Sequence, residues 1–352
     1  MGKKFKILYN KFGKEDLKKQ LAQENFARIT LSFYKYVVIK NPVALRDELF
    51  TKWDNLKVKG RIYIAKEGIN AQLSCPKPNW KQFVDFVRSI NGFENIPLKI
   101  AVEENRTSFL KLTIKVKSQI VADGLKENEY DVSNVGNHLS AKEWNHYVNN
   151  GAIVVDVRNH YESRIGHFKG AIKPDVDTFR EELPLIKKKL KDKKGEKILL
   201  YCTGGIRCEK TSAYLKHHGF KDVNQLHGGI IDYVKQVKEH NLENKFIGKN
   251  FVFDDRLTEK ISNDVIGTCD QCGNPCDKYT NCNYVDCNLL FLQCENCQNN
   301  YSGCCSKECQ KMSQLPQVEQ KKIRKSRTRP SLNSFKKSIR PQENIAERNK
   351  NS

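Results

Sequence analysis

Two short apolar runs constrain the fold of this 352-residue chain more than any other feature. "AIVVDV" (152–157) and "KILLY" (197–201) are apolar on both alternating faces. A strand with one wet face alternates in polarity, so continuous runs need cover on both sides. That is the setting of a central strand in a parallel sheet with helices above and below. Helical stretches at Phe179–Leu190 and Glu209–His218, the second closed by Gly219, supply the crossovers. "SAKE" (Ser140–Glu143) is a capping box that opens a further helix. Residues 139–243 therefore read as an α/β domain.

In such sheets ligands bind beyond the carboxyl ends of the strands. Cys202 stands there, one residue past "KILLY", in the stretch "YCTGGIRCEK". Gly204 and Gly205 permit a tight loop whose N–H groups turn inward, and the following helix adds its positive end. Arg207 adds a full charge. All three favour thiolate over thiol, which makes Cys202 the candidate nucleophile. The spacing from Cys202 to Arg207 is one residue shorter than the Cys-x5-Arg loop that cradles a phosphate. It suits a smaller anion, such as the terminal sulfur of a persulfide.

The N-terminal part reads differently. "RITLSFYKYVVI" (Arg28–Ile39) is a strand, and Asn41-Pro42 caps a helix. "GRIYIAKEGINAQLSCP" (Gly60–Pro76) forms two strands, and Phe83, Phe86, Val87 and Ile90 recur at helical spacing. "LKIAVEE" and "LKLTIKV" are late strands. This β-α-β-β-α-β order predicts a ferredoxin-like α+β domain over 26–125, after a basic lead at 1–25. Ten of the thirteen cysteines crowd into 244–312: Cys269, Cys272, Cys276, Cys282, Cys287, Cys294, Cys297, Cys304, Cys305 and Cys309. No export signal precedes them, so metal ligation is expected rather than disulfides. Two Cys-x2-Cys knuckles point to structural zinc, with an iron site or bare thiols as alternatives. Residues 311–352 hold 12 Lys/Arg against 3 acidic residues, which predicts a disordered basic tail over 313–352.

Lys plus Arg is 62 and Asp plus Glu is 41, a net charge of +21. A field of that sign attracts polyphosphate backbones. No apolar run is long enough to cross a bilayer, which leads to the expectation of a cytoplasmic protein that binds nucleic acid and no membrane. Nothing in the sequence implies an obligate protein partner.

"DVRNHYESRIGHFKGAI" (Asp156–Ile172), "YCTGGIRCEK" and "LHGGI" (226–230), in that order, resemble the rhodanese domain. That resemblance gives Cys202 the persulfide and makes Thr203, Gly204, Gly205, Ile206 and Arg207 its cradle. Asp156 and Arg158 would buttress the site. With "RITLSFYKY", "AKEGINAQLS", "VADG", "FIGKNFVFDDR" and "CDQCGNPCDKYTNC", the chain over 26–312 resembles the bacterial tRNA uridine hydroxylase family. The resemblance implies an enzyme that hydroxylates the wobble uridine (position 34) at carbon 5 to give 5-hydroxyuridine. It would use molecular oxygen, an unnamed electron donor and the tRNA anticodon arm as its partner. Two other readings stand beside it: a sulfurtransferase passing persulfide sulfur to an acceptor, and an RNA-binding adaptor with an idle rhodanese module.

Overall fold

The computed structural model describes residues 12–102, 108–125, 129–326 and 345. A short helix, α1 (Lys14–Ala22), leads in and buries Leu17. The N-terminal domain then runs β1 (Arg28–Tyr36), α2 (Pro42–Asn55), β2 (Lys59–Ala65), β3 (Gly68–Pro76), α3 (Trp80–Ser89), β4 (Lys99–Ile100) and β5 (Leu112–Val116). The sheet order β4-β1-β3-β2-β5 is the ferredoxin-like 4-1-3-2 arrangement with a fifth strand added parallel to β2. Asn41 caps α2 through Oδ1, which accepts from Ala44 N at 3.0 Å. One sheet face packs Leu31, Phe33, Ile62, Ile64 and Leu73 against Trp53 and Phe83 from the helices. The other face carries Ser32, Tyr34, Arg61, Tyr63, Asn70 and Gln72, all partly or fully exposed.

The strand expected over 28–39 stops at Tyr36. Val37 N and Ile39 N turn aside to bond Glu67 O and Lys66 O, and Val38 is exposed. The stretch expected as a strand at "LKIAVEE" keeps strand geometry only at Lys99–Ile100, and 103–107 lie outside the described residues.

The central domain contains β6 (Asn137–Leu139), α4 (Ala141–Asn149), β7 (Ile153–Asp156), α5 (His160–Ser163), β8 (Gly166–Phe168), α6 (Phe179–Lys189), β9 (Lys197–Tyr201), α7 (Ile206–His217), β10 (Asp222–Leu226) and α8 (Gly229–Glu239). Strands β6, β10, β9 and β7 form one sheet in that order, all parallel. Both faces are covered, as the two apolar runs require: Ile198 and Leu200 point into one core, Leu199 and Tyr201 into the other. The capping box at Ser140 and Glu143 is present. Helix α7 begins at Ile206 rather than Glu209, because Gly205 at φ +96° turns the chain directly into the helix.

The C-terminal region is built from β11 (Phe246–Phe251), β12 (Thr258–Lys260), β13 (Tyr279–Asn281), β14 (Leu290–Leu292), α9 (Glu295–Asn300), α10 (Lys307–Gln314) and α11 (Gln317–Ser326). It is joined to the central domain by a shared sheet, β12-β11-β8. The disordered tail expected from 313 onward is corrected in part. Helix α11 lies inside that stretch, and Arg324 pairs with Asp286 at 2.5 Å. A Lys/Gln/Glu-rich segment has too little apolar surface to read as a domain, yet those residues are good helix formers. Ile345 is buried against Cys282, Phe291 and Cys309. The rest of the expected tail, 327–344 and 346–352, lies outside the described residues.

Candidate active site and thiol-rich region

Cys202 ends β9 and sits at the mouth of α7. Its sulfur accepts from Gly205 N at 3.1 Å. Burial by itself would push this thiol up. The Cys208 thiol, the Arg207 guanidinium and the backbone N–H groups of Arg207 and Cys208 outweigh burial and bring it down to about 5. Cys208 bears the reverse effect: burial and the neighbouring Cys202 charge push its thiol well up, so it stays protonated and donates.

The loop is tied from several sides. Gly204 has open space where a Cβ would stand, and a Cβ on Gly205 would meet the Tyr34 hydroxyl at 2.9 Å. Ile230 N and Ile231 N bond Cys202 O and Thr203 O at 3.1 and 3.2 Å. At Gly229, φ +68°, any Cβ would lie 2.5 Å from Cys202 O, which is why "LHGGI" closes the loop. Ile206 begins α7, and its carbonyl accepts from Tyr36 OH at 3.3 Å. Thr203 Oγ1 lies 3.5 Å from Glu162 Oε2.

Arg207 is not a free cation over the thiol. Its guanidinium forms a bidentate pair with Glu162, at 2.6 and 2.8 Å, and stacks over Phe253 at 5.8 Å. Glu162 also accepts from Asn159 N at 3.1 Å. The sequence analysis singles out no role for Glu162, whose partner Arg207 lies 45 positions downstream. Glu182, also buried, has no hydrogen-bond partner among the described residues, and burial pushes its carboxyl well up. Asp156 and Arg158 pair with each other at 2.7 and 2.8 Å, and Arg158 donates to Gly166 O at 2.6 Å. Tyr201 OH donates to Asp156 at 2.7 Å. The pair sits behind β9 and fixes β7 and β8, so it supports the sheet rather than touching the loop.

The N-terminal domain completes the site. Lys99 Nζ donates to Gly204 O and lies 4.5 Å from the centre of the Tyr34 ring. Burial lowers its pKa. Tyr34 OH donates to Glu209 at 2.9 Å. Lys210, on α7, is buried between Glu67 (3.0 Å) and Asp123 (3.1 Å) and donates to Val121 O at 3.0 Å. Between the exposed face of the five-stranded sheet and the Cys202 loop lies a cleft of about 250 Å³, close to the small end of ligand cavities.

All thirteen cysteines of the chain are free of disulfides, and ten of them lie in the C-terminal region. Cys269, Cys272, Cys294 and Cys297 form one group, and Cys282, Cys287, Cys305 and Cys309 a second. Within each group the sulfurs lie within 4.8 Å of one another. Cys276 and Cys304 join neither group, which corrects the ten-residue ligand list. Cys276 faces Lys278 O and Cys304 faces Ser313 Oγ. Sulfur separations of 3.6 Å (Cys272–Cys294) and 3.7 Å (Cys287–Cys305, Cys305–Cys309) are far too long for a disulfide. They match the edge of about 3.8 Å of a tetrahedron with Zn–S near 2.3 Å. Backbone N–H groups of Cys294 and Cys305 point at Cys269 and Cys282 sulfurs, as thiolates require. The donor set and its geometry fit zinc. The two groups alternate along the chain, so each brackets half of the other.

Family models match three successive parts of the chain: "UPF0176 acylphosphatase like domain" over 28–120, "Rhodanese-like domain" over 140–236 and "Rhodanase C-terminal" over 247–310. A tRNA uridine(34) hydroxylase of Leptospira interrogans is 56% identical over 335 residues, covering 95% of this chain and 91% of that one. The chain belongs to the tRNA uridine(34) hydroxylase family. A relative of the same name from Photorhabdus laumondii is 45% identical over 91% of this chain and 92% of its own. Among solved structures, a rhodanese-like domain protein from Staphylococcus aureus is 23% identical, covering 28% of this chain and 90% of its own, with a TM-score of 0.24. Within the hydroxylase family frame, the rhodanese loop forms the floor of the cleft and the acylphosphatase-like sheet its roof.

Proposed function

We propose that this protein hydroxylates uridine 34 of tRNA at carbon 5, giving 5-hydroxyuridine, with molecular oxygen as oxidant and two electrons from an external donor. The observation that carries the reading is its 56% identity to a tRNA uridine(34) hydroxylase over nearly the whole chain, together with the Cys202 loop under a cleft walled by the second domain. Cys202 is the reacting group: its thiolate is formed at neutral pH and lines that cleft. Thr203 to Ile206 shape its surroundings, and Arg207 with Glu162 holds the loop. A base inside a folded anticodon loop has to leave its stack to reach such a thiol. The partner is therefore the anticodon arm, drawn in by the net charge of +21. No helix among the described residues is long and apolar enough to cross a membrane, and a tRNA substrate supports a cytoplasmic location.

We further propose one zinc ion in each four-cysteine group, as a structural staple for a region with little apolar core. Nucleoside mass spectrometry of tRNA from a deletion strain tests the function. Loss of 5-hydroxyuridine and its derivatives, restored by the intact gene and not by Cys202→Ser, is the expected result. Unchanged nucleosides, or loss of a thiolated nucleoside instead, would refute it.

A further inference from the structure

The roof of the cleft is ordered in a way the reaction alone does not demand. Strand register sets Ser32, Gln72 and Arg61 side by side in one row across β1, β3 and β2. Tyr34, Asn70 and Tyr63 form the next row. All six line the cleft opposite Cys202. The second row is partly committed: Tyr34 bonds Glu209, and Asn70 bonds Ile120 O at 3.3 Å. The side chains of Ser32, Gln72 and Arg61 have no hydrogen-bond or ion-pair partner among the described residues. Three polar side chains in a row, facing the Cys202 loop and unpartnered among the described residues, make a surface suited to holding a ligand.

Ring geometry fixes what that ligand presents. In uracil, N3 lies directly across the ring from C6, and C5 stands between C6 and the carbonyl carbon that bears O4. A base gripped at the sheet through N3–H and O4 therefore turns C6 toward the opposite wall, where Cys202 stands, with C5 beside it. Arginine can only donate, and a carboxamide can do either. Arg61 donating to O4 and Gln72 Oε1 accepting from N3–H satisfy uracil. Cytosine shows a donor at N4 and an acceptor at N3, so the same pair would meet it with donor against donor. Tyr63, beside Asn70 in the next row, offers a ring for stacking, the usual way in which a sheet surface holds an unstacked RNA base.

We propose that Arg61 and Gln72 are the residues that select uracil and aim its C6 at Cys202. This rests on the tRNA reading above. The test uses the full-length protein and anticodon stem-loop RNAs carrying uridine or cytidine at position 34. Their affinities are measured by titration, and hydroxylation of the uridine RNA by mass spectrometry. Wild type should bind the uridine RNA more tightly, and Gln72→Met, close in shape but without the amide, should cut that preference about 10-fold or more. Arg61→Lys, which keeps the charge and loses the fork, should cut it as well while leaving the salt dependence of binding unchanged. Equal weakening of both RNAs by these variants, or no wild-type preference, would overturn the assignment and leave Arg61 as a phosphate contact. A wild-type protein that prefers the uridine RNA yet leaves it unmodified would fail the function and not the assignment. Thermal melting of each variant checks that the fold is intact, which exposed positions on a sheet face allow.

Discussion

A buried thiol with a pKa near 5 is a statement about its neighbours. The strongest downward influence comes from the Cys208 thiol on the first turn of α7, ahead of Arg207. Carboxamide alkylation of Cys202 should therefore rise with pH around 5 and be flat above it. Cys208→Ala should move that rise toward the ordinary thiol range, and Arg207→Ala should move it less. The same profile in all three proteins would remove both neighbours from the account. Glu162→Gln leaves the Arg207 guanidinium buried without its carboxylate, which should cost about 3–5 kcal/mol of stability in urea unfolding. A loss below about 1 kcal/mol would mean the pair is open to water. At this scale the sequence was informative where chemistry is local. Cys202, the two glycines and Arg207 sit within six residues, and their meaning does not depend on the rest of the chain. The partner of Arg207 lies 45 positions upstream, so only the folded chain brings it into view.

Elements were legible to the extent that their apolar pattern is self-contained. The run "KILLY" became β9 with the same bounds, and the capping box at Ser140 opened α4. The late strand at Lys99 is present but shorter than expected, and the helix past Met312 was not expected, since both are held by contacts with distant segments rather than by their own pattern. In the thiol-rich region, spacing identified the knuckles, but the sorting of ligands depends on how β13 and β14 fold the segment between them. The alternation of the two groups has a consequence for metal release. Native mass spectrometry should find two zinc ions per chain. Cys272→Ser should weaken retention at both sites, because the first group brackets Cys282 and Cys287. Cys276→Ser should leave both ions bound. Independent loss of one ion with the other fully retained, or a metal-free folded protein, would contradict the arrangement.

Across the whole molecule, the site exists only where the two domains meet. Lys99 holds Gly204, and Lys210 is clasped by Glu67 and Asp123, links that span 87 to 143 residues of sequence and leave no mark in composition. Lys210→Met strands two carboxylates at this junction and should lower activity through a looser cleft, raising KM and lowering kcat together. Activity unchanged would show that the domains dock without it. The net charge of +21 predicts tRNA affinity that falls steeply with salt. Deleting 327–352, which carries 7 Lys/Arg and 2 acidic residues, should weaken all tRNAs alike and make the salt slope shallower. Choice of base should persist, because it belongs to the cleft. Equal affinity and slope would show those charges to be idle. The most direct test of the account is reaction of the purified protein with unmodified tRNA under oxygen-18 gas and a reductant, read by nucleoside mass spectrometry. The account predicts 5-hydroxyuridine at position 34 carrying the heavy isotope, and none with Cys202→Ser. A thiolated nucleoside, a hydroxyl drawn from water, or full activity in Cys202→Ser would contradict it.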